Sequence, residues 1–221
     1  MAEGTGTSRR VTDIKSLKPN TSCPLVLFDL NGTLMDDLDR AVRATNTVLL
    51  RHHQTLVDRE SFRQQFMLPL SSWFASFGIL PHLLEHVEEE WGLEMRAPSP
   101  LRQGVRTLLR DLRAHGVTTG VLSAVSPSAV GEDLRRHGLT SLFDITLGGV
   151  KDKAHALSTL GRHHAPAYYV GDTAYDVVSA KAAGFLSVAI AGGHQCEEKV
   201  KASAPTHFIS SFSELRSIIN V

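Results

Sequence analysis

Cysteine is almost absent from the 221 residues: Cys23 and Cys196 stand far apart and form no metal-type spacing. Two reduced thiols in a reducing, cytoplasmic compartment are expected. Charge of one sign is not in excess either, since 23 Lys and Arg meet 23 Asp and Glu. No polyanion-binding field is implied, which argues against nucleic acid as a partner. No apolar run approaches the length of a membrane span, so no membrane association is expected. Residues 1–21 carry Arg9, Arg10, Lys15 and Lys18 without an apolar centre, which argues against a secretory signal. A frayed terminus is expected there. Glu3 and Asp13 leave little support for a transit peptide. Internal repeats and low-complexity tracts are also missing.

What is present is a hydrophobic content of 42%, enough for a sizeable core in one large domain or a core with a smaller attachment. The chain is organised around the stretch Pro24 to Leu34, in which Leu25-Val26-Leu27-Phe28 precedes Asp29-Leu30-Asn31-Gly32-Thr33-Leu34. An apolar run too short for a free-standing helix reads as a buried strand. It ends in an acid followed by a small-residue turn. In an open parallel sheet, ligands bind beyond the carboxyl ends of strands, so Asp29 is a candidate nucleophile or metal ligand.

Between Asp36 and Ala97 the pattern is helical throughout. Leu38, Val42, Thr45 and Leu49 keep one helical face, Asp58 can cap a helix over Arg59–Met67, and Pro81 can open another running to about Trp91. A short aromatic segment, Ser71 to Phe77, lies between them. After Pro98 and Pro100 helices and strands alternate. A helix carrying Leu101, Val105, Leu108, Leu109 and Leu112 ends at Gly116, and the strand Val117–Leu122 ends at Ser123. Ser126-Pro127 opens a helix stopped at Gly138. Strands are expected at Phe143–Leu147, Ala167–Val170, Leu186–Ile190 and Thr206–Ile209, and helices at Lys153 to about His163, Ala174–Ala183 and Ser213–Ile219. Such alternation predicts an α/β fold with a parallel sheet and helices on both faces.

Parallel strands would bring Asp29, Ser123 and Asp172, with Lys153 from a helix start, to one sheet edge. Taken singly, each has an ordinary role: a strand end, a solvated helix charge, or a cap with Asp176 as a first-turn acid. Together they suit phosphoryl transfer. A carboxylate attacks phosphorus, a hydroxyl and an ammonium hold the phosphoryl oxygens, and carboxylates hold Mg²⁺, which prefers hard oxygen ligands.

The order of these motifs from Leu25 onward resembles the haloacid dehalogenase superfamily, most of whose members are phosphatases. The resemblance implies a three-layer Rossmann-like core over residues 22–35 and 98–221, with a type 1 helical cap over 36–97, as in phosphoglycolate-phosphatase-like members. It implies a nucleophile at Asp29 and phosphate contacts from Thr33, Ser123, Ala124 and Lys153. It further implies an Mg²⁺ site at Asp29, the backbone carbonyl of Asn31, Asp172 and Asp176. Lys151 is the alternative to Lys153, because the family's usual Lys-Pro pair is absent. The implied substrate is a small phosphorylated metabolite.

One residue departs from the family pattern Asp-x-Asp-Gly-Thr-Leu: Asn31 replaces the second acid. In the family that acid protonates the leaving oxygen and then deprotonates the hydrolytic water, and an amide can do neither. Positioned acid–base catalysis typically supplies about 10²–10⁴-fold per step. The site should bind well and turn over poorly, least so with a good leaving group. Asn31 can be an engineered change, a natural variant with altered chemistry or a binding role, or a deaminating Asn-Gly pair. A catalytically silent relative that binds a phosphorylated ligand or a protein is the rival reading. The intact acids Asp172 and Asp176 argue against metal-free dehalogenation. The lack of any lysine in residues 36–98 argues against the family's Schiff-base phosphonate chemistry.

Three further signals are present. His82-Leu83-Leu84-Glu85-His86 matches a zinc-peptidase pattern, but it has no third ligand nearby and reads as a surface pair. Arg40, Arg43 and Trp73 are candidate substrate contacts, with solvated helix charges and cap core as their ordinary alternatives. His194, after Gly192-Gly193, is a weak site candidate.

Overall fold

The computed structural model describes residues 23–162 and 164–221. The frayed terminus expected over 1–21 therefore lies outside the described residues. Six strands form a single parallel sheet: β1 (Leu25–Phe28), β2 (Thr118–Leu122), β3 (Ile145–Leu147), β4 (Ala167–Gly171), β5 (Leu186–Ile190) and β6 (His207–Ile209). Their order is β3-β2-β1-β4-β5-β6, so β1 is central and pairs with β2 on one side and β4 on the other. The chain builds outward to β3, then crosses back over β1 to begin β4. That reversal is the topological switch point of the sheet, where a ligand crevice opens beyond the strand ends.

All four residues of β1 are fully buried, which explains its uninterrupted apolar run. Successive side chains point to opposite faces. Val26 and Phe28 pack against Leu108, Leu109 and Leu112 of one helix and Phe212 of another, whereas Leu25 and Leu27 meet Leu157, Leu160 and Ala180 from the other layer. Each large side chain so buried contributes about 1.5–3 kcal/mol. The result is the three-layer α/β architecture expected.

Between β1 and α5 (Val105–Ala114), which leads into β2, lie four helices of the insert: α1 (Leu38–Arg51), α2 (Arg59–Gln65), α3 (Leu70–Ala75) and α4 (Leu84–Glu94), the last preceded by a 3₁₀ turn at Pro81–Leu83. They enclose a separate apolar cluster in which Leu38, Ala41 and Val48 of α1 meet Phe62, Phe66, Trp73, Phe74 and Trp91. Asp58 caps α2 by accepting from Ser61 N at 2.7 Å. The remaining helices are α5 (Val105–Ala114), α6 (Pro127–Arg136), α7 (Lys153–Gly161), α8 (Ala174–Ala182), α9 (Glu197–Ala202) and α10 (Phe212–Ile219).

Two local expectations are corrected. Leu101 does not start α5; the chain reverses at Gly104 and Leu101 bridges to Met35 instead. The short α9 was not foreseen, because Val200 is its one buried side chain and leaves no periodic signal.

Candidate active site

Asp29 follows the last residue of β1 and its amide donates to Val170 O of β4 at 2.8 Å. Ser123 follows β2, and Asp172 follows β4. All three therefore stand at one sheet edge, on either side of the switch point. Asp152 caps α7 by accepting from His155 N, which places Lys153 at the first position of that helix with its side chain directed inward. Lys153 Nζ lies 2.9 Å from Asp29 Oδ1 and 2.6 Å from Asp176 Oδ1, with only 1% of its side chain exposed. Lys151, the alternative, is exposed and lines the mouth of the cavity. The geometry thus brings Lys153, not Lys151, against the candidate nucleophile.

Asp172 is held by contacts from two turns. Thr33 Oγ1 donates to its Oδ1 at 2.8 Å and His194 N to its Oδ2 at 2.7 Å. Gly32 and Gly193 make that approach possible. A Cβ on either would come within 2.3 Å of Asp172 Oδ2, and Gly32 also has φ +74°. Asp176 closes a capping box with Thr173 at the start of α8 and receives Lys153 on its other oxygen.

Asp29, Asp172 and Asp176 each offer a carboxylate oxygen, and these oxygens lie within 4.8 Å of one another. They form the one group of three or more potential metal ligands among the described residues. Burial pushes the Asp29 carboxyl up to about 7; Asp176 and Asp172 add to the rise, and Lys153 opposes it. Burial likewise raises Asp172, with His194 pulling the other way and Asp176 adding to the rise. For Lys153, burial alone would favour the neutral amine, but Asp176 and Asp29 outweigh it and hold the ammonium charged. Three buried acids against one lysine leave negative charge uncompensated, and a hard divalent cation fits that donor set.

Asn31 occupies a tightly bonded place. Its Nδ2 donates to Asp37 Oδ2 at 2.7 Å, and Gly32 N donates to Asp37 Oδ1 at 2.6 Å. Asp37 also receives Arg40 Nη2 at 2.8 Å and faces His194 Nε2 at 2.9 Å. Burial acts to raise the Asp37 carboxyl, but His194 and Arg40 prevail and hold it well below the usual carboxylate range. His194 shows the converse: burial favours its neutral ring, while Asp37 raises it overall. Sequence reasoning missed Asp37. The available signal was the pair of adjacent acids Asp36-Asp37, the second of them five residues beyond the Gly32 turn.

A cavity of about 510 Å³ opens above this edge. Asp29, Asn31, Ser123, Ala124, Lys153, Thr173 and His194 form its floor, whereas Phe66, Leu68, Leu70, Trp91, Leu93 and Val125 supply apolar walls. Glu85, Glu88, Glu89 and Arg96 stand on the same lining from α4 and the strap after it.

The substrate candidates named from sequence fall elsewhere. Arg40 is buried under the cavity floor, bonded to Asp37, Asp133 and Ala97 O, so its guanidinium is not available to a ligand. Arg43 is exposed and does not line the cavity. Trp73 is fully buried in the insert's own core, edge-on to Phe62, Phe66 and Phe77. Thr33, expected at the phosphate, directs its hydroxyl to Asp172 and is absent from the cavity lining. His82 and His86 are both exposed, as the surface-pair reading expects.

Residues 26–190 match the haloacid dehalogenase-like hydrolases. The chain belongs to that family. Among its relatives, a probable phosphatase IndB of Dickeya dadantii is 31% identical, over 87% of this chain and 91% of that protein. A phosphoglycolate phosphatase of Synechococcus elongatus is 29% identical, over 86% of this chain and 94% of its own length. In fold, the chain is similar to a predicted phosphatase from Clostridium acetobutylicum, with TM-score 0.78, 21% identity and coverage of 90% and 99% of the two chains. A haloacid dehalogenase-like hydrolase from Bacteroides fragilis superposes with TM-score 0.77 at 26% identity, covering 88% of this chain and all of the other. The chain is a phosphoric monoester hydrolase of this family.

Proposed function

We propose that this protein hydrolyses a small phosphorylated metabolite through an aspartyl-phosphate on Asp29, with Mg²⁺ as cofactor. The observation that carries the reading is the placement of Lys153 Nζ between Asp29 and Asp176, at the floor of a cavity that Ser123 also lines. An ammonium there can accompany phosphoryl oxygens toward the nucleophile, and Ser123 Oγ offers a donor on the same floor. Asp29, Asp172, Asp176 and the Asn31 carbonyl are the ligands we assign to Mg²⁺, which when bound neutralises phosphoryl charge. Burial of the floor beneath apolar walls limits water around the reacting atoms.

We assign the insert 36–97 the role of a cap over a core of residues 22–35 and 98–221, since α4 supplies cavity wall opposite Asp29. Among the described residues, no helix is long and apolar enough to cross a membrane. We place the reaction in the cytoplasm, where both thiols would stay reduced.

A panel of phosphate esters and acyl phosphates, assayed with Mg²⁺ on the wild type and on Asp29→Asn, tests the reading. Phosphate release should fall on the order of 10³-fold or more in D29N. Intact mass should show one phosphoryl group on the quenched wild type and none on the variant. Undiminished turnover in D29N would refute the assignment. Tight ligand binding without turnover in either form would favour a silent binding protein, the reading that Asn31 by itself supports.

A further inference from the structure

Asn31 is not a solitary gap in an otherwise complete site; its surroundings are built for an amide. Asp37 accepts four hydrogen bonds, from Gly32 N and His194 Nε2 on Oδ1 and from Asn31 Nδ2 and Arg40 Nη2 on Oδ2. An ionised carboxylate has about four acceptor positions and no donor. The permanent charge of Arg40, itself fixed by Asp133 and Ala97 O, keeps Asp37 in that state. Position 31 must therefore donate toward Asp37. This fixes the amide orientation, with Nδ2 toward Asp37, and leaves Asn31 Oδ1 buried without a hydrogen-bond partner among the described residues.

An aspartate at position 31 would set two acceptors 2.7 Å apart. Any proton it carried would lie in the bond to Asp37 and not at a leaving oxygen. Asp37 is thus a positioning residue that holds position 31 out of proton transfer. We propose, resting on the phosphatase reading above, that this pairing selects aryl phosphates: substrates whose leaving group departs as a stabilised anion and has an apolar body.

The chemistry closes without a proton donor. Asp29 Oδ forms a bond to phosphorus, the phosphorus–oxygen bond to the aryl group breaks, and the electron pair leaves on the phenolate. Water then attacks the phosphorus of the aspartyl-phosphate. Its phosphorus–carboxylate bond breaks, Asp29 regains its carboxylate, and both water protons stay on the dihydrogen phosphate released. An alkyl leaving group is a far poorer anion and needs the missing acid. The walls agree with a flat apolar leaving group, since Phe66, Leu68, Trp91, Leu93 and Val125 line a cavity of about 510 Å³. On the same lining, Glu85, Glu88 and Glu89 stand with Arg96 and Lys151, so the polar part of the lining is of mixed sign.

The test compares kcat/KM for 4-nitrophenyl, phenyl and benzyl phosphate in Mg²⁺, on the wild type, N31D, D37N and N31D/D37N, with thermal unfolding of each. The three esters share a ring and differ in leaving-group acidity. The double variant exchanges amide and acid, so the new carboxyl at 31 is freed from an acceptor partner. Wild type should favour 4-nitrophenyl over benzyl phosphate by at least about 100-fold, and N31D/D37N should compress that ratio by at least about tenfold. N31D alone should compress it clearly less than the double variant and should unfold at a lower temperature, which the second change restores. Compression by N31D as large as in the double variant, or a wild-type ratio below about tenfold, overturns the proposal. If D37N-bearing chains do not fold, N31D alone decides, and compression of about tenfold or more by it overturns the proposal. Absence of hydrolysis in every form defeats the phosphatase reading together with the aryl selectivity. The Asn31–Asp37 pairing is then judged by unfolding alone: non-additive shifts support it and additive ones overturn it.

Discussion

Replacing Lys153 with methionine is the sharpest probe of the charge balance at this sheet edge. The ammonium is almost wholly buried and lies 2.9 Å from Asp29 and 2.6 Å from Asp176. Methionine keeps much of the volume but leaves three carboxylates facing one another. Removing one partner of a buried ion pair costs about 3–5 kcal/mol. For a chain of this size each kcal/mol moves the melting temperature by about 2–4 °C, so K153M should melt about 6–20 °C lower in chelator. The loss should also depend on pH. Asp29 has a folded pKa of about 7 against an ordinary 3.8, so the unfolded chain ionises first as pH rises. Between those values the acid form favours the folded state, and that advantage is lost above the folded pKa. Without Lys153 the folded pKa moves higher still. The K153M deficit should therefore be largest near about pH 8 and shrink toward about pH 5. Added Mg²⁺ should recover part of it by neutralising the same carboxylates. Differential scanning fluorimetry across pH, with and without Mg²⁺, gives the answer. A deficit below about 2 °C in chelator, or one that is flat with pH, would refute the reasoning.

Other substitutions follow from the same geometry. Gly32→Ala adds a Cβ within 2.3 Å of Asp172 Oδ2 at a backbone φ of +74°. It should cost about 1–3 kcal/mol in chemical denaturation and lower the apparent Mg²⁺ affinity in the same protein, and unaltered affinity would refute it. Trp73→Ala should lose about 3–5 kcal/mol of unfolding free energy, because its ring is fully buried among aromatic neighbours of the insert. By contrast, Arg43→Ala should stay within about 0.5 kcal/mol and leave substrate KM in place, since Arg43 is exposed and outside the cavity. A several-fold KM change in R43A would restore it as a substrate contact.

The strands and their ends were readable because each carries a local signature. Leu25–Phe28 is short, apolar and closed by an acid, and Gly171-Asp172 repeats that ending one strand over. Lys153 is placed by its position at the start of a helix, and the fold buries it, and not Lys151, between Asp29 and Asp176. What escaped were partnerships at a distance. Arg40 looks like a helix-face charge until Asp133, ninety-three positions away, is brought against it. Trp73 sits in an aromatic cluster that reads first as core of the insert, and the structure buries it there; the substrate contact was its lesser alternative. Asp37 lies between a turn and a helix, where capping is the ordinary expectation, yet it makes no side-chain cap there. Its four partners come from the nucleophile turn, α1 and the loop after β5. Such convergence has no sequence period.

Arg40 has one further, mechanical consequence. It belongs to the first turn of α1, yet it grips Asp37, Asp133 of α6 and Ala97 O on the returning strap. On the opposite side, Gln195 Nε2 donates to Phe66 O at 2.9 Å, and Cys196 N donates to Arg63 O at 2.9 Å. The insert is thus latched at both flanks. A rigid swing about its linkers would break buried polar contacts on each side at once. Ligand traffic is better served by side-chain movement along the α4 rim, with the helical roof staying in place.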